Sequence, residues 1–292
     1  MGTIDADAHV LETPETWSYL SDDEKQYLPM IVSQSFGNEL INPSGLVMRD
    51  YWVVEGGVHA KDFNVGADTP QDAREMADVT RRLAHMDELG TEIQVIYPSL
   101  FLVEPTTRAD VELAVTRSYN RWMADRCDRS KGRLRWIVVP SARNPAQWEA
   151  ELRLAKNHGA CGVLKKGDHE AEKWPSDEYF FPMYQVAEEL DLPLCFHLGS
   201  GTPDFTSAKE LSQGSFIRNK MPAIHGIQSL IVHEIPQRFP GLRFGCIEAG
   251  ASWVPFVDYD LRRRMARLEG GNVQSGSSYE LPDNIWAANR IY

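Results

Sequence analysis

The chain has few of the sequence features that are typical of secreted proteins, membrane proteins or zinc knuckles. Its 292 residues include only four cysteines, which lie far apart with no CxxC pair, so no disulfide framework is indicated. No segment approaches about 18 consecutive apolar residues, and the start lacks a charged region followed by an apolar run. We therefore expect neither export nor a membrane span, and the expected location is the cytoplasm.

Positive charge is also scarce. Thirty Lys and Arg residues stand against 42 Asp and Glu, a formal net charge of -12. Such a surface argues against binding to nucleic acid and to acidic membranes. A hydrophobic content of 42% with 25% charged residues is typical of a globular protein with a sizeable core.

The sequence does contain short apolar runs that alternate with long amphipathic segments, which is typical of βα units around a parallel sheet. The pattern predicts seven strands, over residues 4–10, 92–97, 133–139, 161–165, 192–198, 242–248 and 284–292. It predicts helices over residues 69–89, 107–129, 145–157, 178–190, 221–238 and 253–269. Because α/β barrels of about 250 residues often form one domain, we expect a single domain over residues 1–292.

Residues 12–66 break this alternation. They are rich in Pro, Gly, Asn and aromatic residues, and residues 51–54 resemble one arm of a short hairpin. Long uncommitted loops are rare in compact domains, so an insertion of this length after the first strand is interpreted as a lid or wall over a site.

The most informative stretch is the first strand. Side chains alternate along a strand, so Asp5, Asp7 and His9 are expected on one face. A carboxylate and an imidazole two residues apart at the carboxyl end of a strand form half of a divalent-metal site. The alternative is an ordinary strand with solvated acids.

Two further candidates end other apolar runs. His197 ends residues 193–197 and is followed by Gly199, Ser200 and Gly201, although a buried parallel strand should be almost entirely apolar. Its alternative is a core histidine. Glu248 ends another run just before a glycine-containing turn, where a carboxylate can act as a general base or a further ligand. Its alternative is an acid at a helix N-terminus.

Several motifs resemble those of the amidohydrolase-related family that includes aminocarboxymuconate semialdehyde decarboxylase. They are the Asp7-Ala8-His9 strand followed by Glu12, residues 86–90, residues 181–190 leading to His197, and residues 238–243. The similarity covers nearly the whole chain. It implies an α/β fold, the (β/α)8 TIM barrel of metal-dependent hydrolases, with one divalent ion at the carboxyl-terminal mouth and with strand eight lacking from this chain.

The resemblance also implies roles for individual residues. Asp7 and His9 match the ligand pair of the first strand, although the best-known members have His in place of Asp7, and His197 matches the ligand of the fifth strand. A carboxylate with two imidazoles suits Zn, with Mn or Fe as alternatives. Glu248 stands where the family's decarboxylases have a His that positions or deprotonates water. The family's last ligand, an Asp at the end of strand eight, has no counterpart before Tyr292.

We therefore expect a metal-dependent hydrolase that acts on a small carboxylated or cyclic molecule, with Glu248 as the catalytic residue. One alternative is a non-oxidative decarboxylase. Another is a catalytically impaired barrel that binds a ligand, which the absent Asp would explain. The unpaired edges of an incomplete barrel predict a homo-oligomer.

Weaker candidates lie elsewhere. Lys165 and Lys166 end the fourth predicted strand and are expected to be solvated or to contact an anionic substrate, rather than to bridge two metals. His225 is expected to have an ordinary, partly buried role. Four aromatic residues are candidates for pocket walls, with core packing as the alternative: Trp17, Trp52, Phe101 and Trp253.

Overall fold

The computed structural model describes residues 2–36, 47–61, 69–199, 216–269 and 281–292. Ser200, Gly201 and part of the 12–66 insertion lie outside these residues. The chain divides into two compact units, residues 1–162 and 163–292. The single-domain interpretation and the role of the insertion as a lid stay predictions.

The first unit begins with β1 (Thr3–His9), which is followed by two short 3-10 helices, Pro14–Tyr19 and Asp23–Tyr27. A separate antiparallel sheet then contains β2 (Met30–Phe36), β3 (Val47–Val54) and β4 (Gly57–Ala60), in this order. Between β3 and β4, Glu55 and Gly56 have φ values of 47° and 81°. Two consecutive positive φ values are typical of the tight turns that match strand twist, and they confirm the hairpin arm predicted over residues 51–54.

Parallel strands and helices make up the rest of this unit. Strand β5 (Thr91–Tyr97) pairs with β1, and β6 (Leu134–Val138) pairs with β5. The helices are α1 (Gln71–Arg74), α2 (Val79–Glu88), α3 (Ala109–Asp128) and α4 (Trp148–Asn157). The single helix predicted over residues 69–89 is wrong. Met76 takes a left-handed φ of 49°, and the Asp78 carboxylate accepts the Thr80 N–H at 2.8 Å to cap a second helix.

The unit boundary lies within β7 (Ala160–Lys165). In the second unit, β8 (Leu194–His197) pairs with β7 and β9 (Phe244–Ile247) pairs with β8, all in parallel. The helices are α5 (Phe181–Glu189), α6 (Met221–Val232), α7 (Ile235–Arg238) and α8 (Val254–Glu269). The helix predicted over residues 221–238 is interrupted at Glu234, which has a φ of 57°. Among the described residues, no helix combines the length and the apolar character that a membrane crossing requires.

The strand predicted over residues 284–292 is wrong. Ile285–Ala288 form helix α9, and the Asn284 side chain caps it by accepting the Ala287 N–H at 3.0 Å. Within residues 281–292, strand pairing is limited to a parallel bridge between Ile291 and Phe244. A short apolar run fits a buried helix as well as a strand, so its pattern could not separate the two.

The four cysteines are free thiols. Cys127 and Cys195 are buried, and burial raises the pKa of Cys161 to about 11 and that of Cys246 to about 12. These two thiols therefore stay protonated near neutral pH, which makes them poor nucleophiles.

Candidate active site

Asp7 and His9 lie at the carboxyl end of β1, in the first unit. The Asp7 Oδ1 is 3.8 Å from the His9 Nε2, and the imidazole is buried while about a third of the Asp7 side chain is exposed. The His9 Nδ1 lies 3.1 Å from the Pro98 carbonyl oxygen. A carbonyl only accepts, so Nδ1 carries a hydrogen, and in the neutral ring Nε2 is then the nitrogen with a lone pair. This is the tautomer in which an imidazole can bind a divalent cation through Nε2.

The strand that carries this pair is irregular. Its pairing with β5 shifts by one residue between Asp5 and Ala8, so the regular alternation expected for Asp5, Asp7 and His9 is interrupted by a bulge. The Asp5 carboxylate accepts the Asp7 backbone N–H at 3.2 Å and the Gln94 side-chain amide at 3.0 Å. Asp5 therefore supports the backbone next to the candidate ligands.

A buried arginine completes this support, and no motif in the sequence singles it out. Arg82 is 3% exposed. Its Nε donates to the Gln94 side chain at 2.7 Å, and its Nη1 donates to the His9 carbonyl at 3.0 Å. Burial lowers the pKa of Arg82 to about 10, so the guanidinium remains charged near neutral pH. Arg82 thus ties helix α2 to the backbone of His9.

Glu12 also acts on this region. Its fully buried carboxylate accepts the backbone N–H groups of Ser99 and Leu100, both at 3.0 Å. Burial raises the pKa of Glu12 to about 7, while these two N–H donors act in the opposite direction. Pro98 directly precedes Ser99, so Glu12 anchors the segment whose carbonyl orients His9. In the sequence Glu12 is visible only as part of a motif, and nothing there indicates this contact.

His197 and Glu248 meet in the second unit. His197 ends β8 and is buried, and its Nδ1 lies 2.8 Å from the Leu198 carbonyl oxygen. In the neutral ring Nδ1 therefore carries the hydrogen and Nε2 is the nitrogen with a lone pair. That Nε2 is 3.7 Å from the Glu248 Oε2, and 46% of the Glu248 side chain is exposed. Glu248 has a φ of 60°, which is unfavourable for a residue with a Cβ and is often found at functional positions.

The expectation that Lys165 is solvated is wrong. Its side chain is fully buried, its Nζ contacts the Glu170 carboxylate, and the same nitrogen lies 3.6 Å from the centre of the Phe180 ring. Burial lowers the pKa of Lys165. The amine is thus held by a carboxylate and an aromatic face, and Lys166 is buried as well.

Three of the four aromatic candidates belong to a core. Trp17, Trp52 and Phe101 are at most 2% exposed, and the Trp17 ring packs edge-on against Trp52 at 5.4 Å. Trp253 instead lines a cavity of about 760 Å³ in the second unit. His225 lines the same cavity, a position that the sequence could not indicate.

Comparison with known proteins identifies the family. A family model described as Amidohydrolase matches residues 4–270, and a search of the curated proteins gives no match. An amidohydrolase structure, map2389c from Mycobacterium avium subsp. paratuberculosis K-10, has a TM-score of 0.73 at 17% identity, over 100% of this chain and 81% of that one.

Two decarboxylase structures have the same fold. The 5-carboxyvanillate decarboxylase of Novosphingobium aromaticivorans, solved with manganese and 4-hydroxy-3-methoxy-5-nitrobenzoic acid, has a TM-score of 0.58 at 18% identity, over 93% of this chain and 72% of that one. The 2,6-dihydroxybenzoate decarboxylase of Rhizobium has a TM-score of 0.59 at 14% identity, over 100% of this chain and 79% of that one. The chain therefore belongs to the amidohydrolase family and has the TIM-barrel fold of that family, with six parallel strands among its described residues.

Proposed function

We propose that the protein is a metal-dependent hydrolase whose divalent ion is held by Asp7, His9 and His197. Each of these residues can offer one ligand atom. The observation that carries the proposal is the shared tautomer of the two histidines. Each lies at the carboxyl end of a parallel strand and directs Nδ1–H to a backbone carbonyl, so that Nε2 can act as a ligand.

The chemistry of the donors supports a first-row divalent ion. One carboxylate and two imidazoles suit Zn, Mn or Fe, and the carboxyvanillate decarboxylase of the same fold was solved with manganese. When bound, such an ion polarises a substrate carbonyl and lowers the pKa of water.

Glu248 is the residue that we assign to proton transfer. Its carboxylate lies 3.7 Å from the His197 Nε2 and is partly exposed, so water can reach it. In hydrolysis, the carboxylate accepts a proton from the attacking water and can return it to the leaving group. The strained backbone at this position holds an acidic side chain where glycine would be the unstrained residue.

Non-oxidative decarboxylation is the second candidate, because several structures with this fold are decarboxylases. In that reaction the substrate loses carbon dioxide and its carbon gains a proton, so the protein must supply an acid rather than a base. A carboxylate at position 248, in place of the His of the family's decarboxylases, favours hydrolysis.

Product analysis on metal-loaded protein separates these reactions. Esters, amides and lactones would be tested in ¹⁸O-labelled water, and aromatic carboxylic acids would be tested for release of carbon dioxide. Incorporation of ¹⁸O supports the hydrolase, and carbon dioxide release supports the decarboxylase instead. A protein that binds no metal and forms neither product would contradict both and would favour a ligand-binding barrel.

A further inference from the structure

We infer that β2 is an interaction surface through which two copies of this chain pair edge to edge. The two β2 strands run antiparallel, as do the strands within this small sheet of the first unit, and a two-fold axis relates them. Pairing at this edge is independent of the proposed function. Three features of β2 support it: its place in the sheet, its exposure and its lack of charge.

β2 lies at an edge of the small sheet. The strand order is β2-β3-β4, and among the described residues β3 is the only strand that pairs with β2. Their pairing continues without a bulge over all seven residues of β2, Met30–Phe36. The other side of β2 therefore presents a regular row of backbone N–H and C=O groups, to which a further strand can bind.

Both faces of β2 are exposed as well. Side chains alternate between the faces of a strand, so Met30 and Val32 lie on one face and Ile31 lies on the other. Their exposed fractions are 62%, 48% and 37%, whereas Trp52, opposite Ile31 on β3, is 1% exposed. Three successive exposed apolar residues are unfavourable in a monomer and are typical of a surface that another chain covers.

β2 also has none of the features that normally block an edge. Its sequence, MIVSQSF, contains no charged residue, no proline and no glycine. Natural proteins prevent unwanted pairing at exposed edges with charged side chains, proline, bulges or very short strands. An edge strand of seven residues that lacks all of these is therefore expected to have a strand partner.

The other sheet edges in the described part of the chain are protected. The edge strand β1 carries two carboxylates, Asp5 and Asp7. Residues near Tyr292 cover β9, since the Cys246 N–H donates to the Tyr292 carbonyl at 2.9 Å and the Tyr292 N–H donates to the Phe244 carbonyl at 2.8 Å. β4 has only four residues. The interface of the predicted homo-oligomer therefore lies at β2 and not at an edge of the barrel sheet.

A second copy of the chain is the partner that leaves no long edge open. A single strand from another protein, once added to β2, would itself become the new edge. Two copies that pair through β2 form one sheet of six strands, three from each copy, whose two edges are both the short β4. Such an interface uses the same surface on both copies, so assembly stops at the dimer.

Charge permits this pairing. The formal net charge of -12 makes two copies repel wherever their charged surfaces meet, but β2 itself is uncharged. The charged residues of the adjoining strand β3 are Arg49 and Asp50. In the paired sheet the two β3 strands are three strand spacings apart, about 14 Å. This separation exceeds the Debye length of about 8 Å at physiological ionic strength, so repulsion between these residues and their copies is largely screened.

The symmetry also predicts which residues meet. A two-fold axis perpendicular to the sheet keeps each face of β2 on the same side in both copies. Because directly opposite residues share a face, one residue of β2 must lie opposite its own copy at the axis. Pairing over most of the strand places this residue near its middle, at Val32, Ser33 or Gln34. Opposite Cα atoms are about 4.5–5.5 Å apart, which a disulfide can bridge.

Sedimentation equilibrium of the metal-loaded full chain is the first measurement. We expect a monomer–dimer equilibrium between about 1 and about 100 µM protein, because an interface built on one pair of strands is small. Val32→Lys brings like charges together at the edge and should weaken dimerisation at least about tenfold. Val58→Lys is the matched control, because Val58 is 62% exposed and lies on β4, away from the β2 edge.

The control adds the same charge to the same sheet and should leave dimerisation unchanged. A chain that stays monomeric over the whole concentration range would overturn the inference, and would do so even if β2 bound a strand of another protein. Equal weakening by Val32→Lys and Val58→Lys would overturn it as well, because the effect would then come from general charge and not from the β2 edge.

Cysteine substitution then locates the axis. Val32→Cys, Ser33→Cys and Gln34→Cys are oxidised one at a time, with Val58→Cys and the natural protein as controls. One of the three β2 variants should form a disulfide-linked dimer at least about tenfold faster than the other two, because only one position lies opposite its copy. The controls should remain without a cross-link. Cross-linking at none of the three positions, or equally fast cross-linking of Val58→Cys, would overturn the inference.

Discussion

The buried carboxylate of Glu12 accepts the backbone N–H of Ser99 at 3.0 Å, although the two residues are 87 positions apart in the chain. The next N–H, that of Leu100, binds the second carboxylate oxygen at 3.0 Å. Because the Pro98 carbonyl that orients His9 immediately precedes this contact, Glu12 is a positioning residue for a candidate metal ligand.

Glu12→Gln should lower both stability and metal affinity. Glutamine has one side-chain acceptor, so one buried N–H loses its partner at a cost of about 1–3 kcal/mol. Urea unfolding and metal titration are the measurements. The matched control is Glu112→Gln, since the buried Glu112 carboxylate accepts the Ser141 hydroxyl at 2.8 Å and the Arg143 N–H at 2.9 Å. Both of these donors bind Oε2, while Oε1 lies 3.6 Å from the Arg143 Nη1. The control therefore loses a buried ion pair, so it should lose stability but keep its metal affinity. Equal losses of metal affinity would make Glu12 a purely structural residue.

Stability should also depend on pH through Glu12. Burial raises the pKa of Glu12 from 4.5 to about 7 in the folded state. Between these values the folded chain keeps a proton that the unfolded chain has lost, so the free energy of unfolding should fall as pH rises from about 4.5 to about 7. Urea unfolding across this range, compared between the natural protein and Glu12→Gln, measures the contribution. If the free energy of unfolding changed with pH by the same amount in the two proteins, Glu12 would not titrate in this pH range.

His197→Ala should remove most of the metal. The change deletes one of three proposed ligands, and even partners outside the ligand shell contribute about 10–100-fold to metal affinity. We therefore expect metal affinity to fall at least about tenfold. Elemental analysis after dialysis against a chelator should then find much less bound metal than in the natural protein. His158→Ala is the control, because His158 pairs with Asp128 at 2.7 Å on the surface. Unchanged metal content in His197→Ala would contradict the ligand assignment.

Glu248→Gln should impair turnover without releasing the metal. The amide keeps the size of the side chain but cannot accept the proton, so the rate should fall by roughly a hundredfold or more. Glu172→Gln is a matched control, because Glu172 is exposed and has a similar left-handed φ of 57°. Full activity in Glu248→Gln would show that position 248 does not act as the base.

Local pattern determined much of the fold. Six strands were predicted from apolar runs, which are visible in residues adjacent along the chain. Both ends of each strand lie within about two residues of the prediction; the six are β1, β5, β6, β7, β8 and β9. The same reasoning failed at residues 284–292, where an apolar run fits a helix equally well. It also missed the left-handed residues Met76 and Glu234, because neither residue type signals that conformation.

The candidate ligands show the same division. Their types and their places at strand ends are visible in the sequence, which is why Asp7, His9, His197 and Glu248 could be named as predictions. The tertiary structure alone decided that His9 donates to the Pro98 carbonyl, that Arg82 holds the His9 backbone, and that Lys165 is buried against Glu170. The tendency to form a strand can be predicted from residues that are adjacent in the sequence. Tautomer, burial and hydrogen bonding at a site depend on groups that only folding brings into contact.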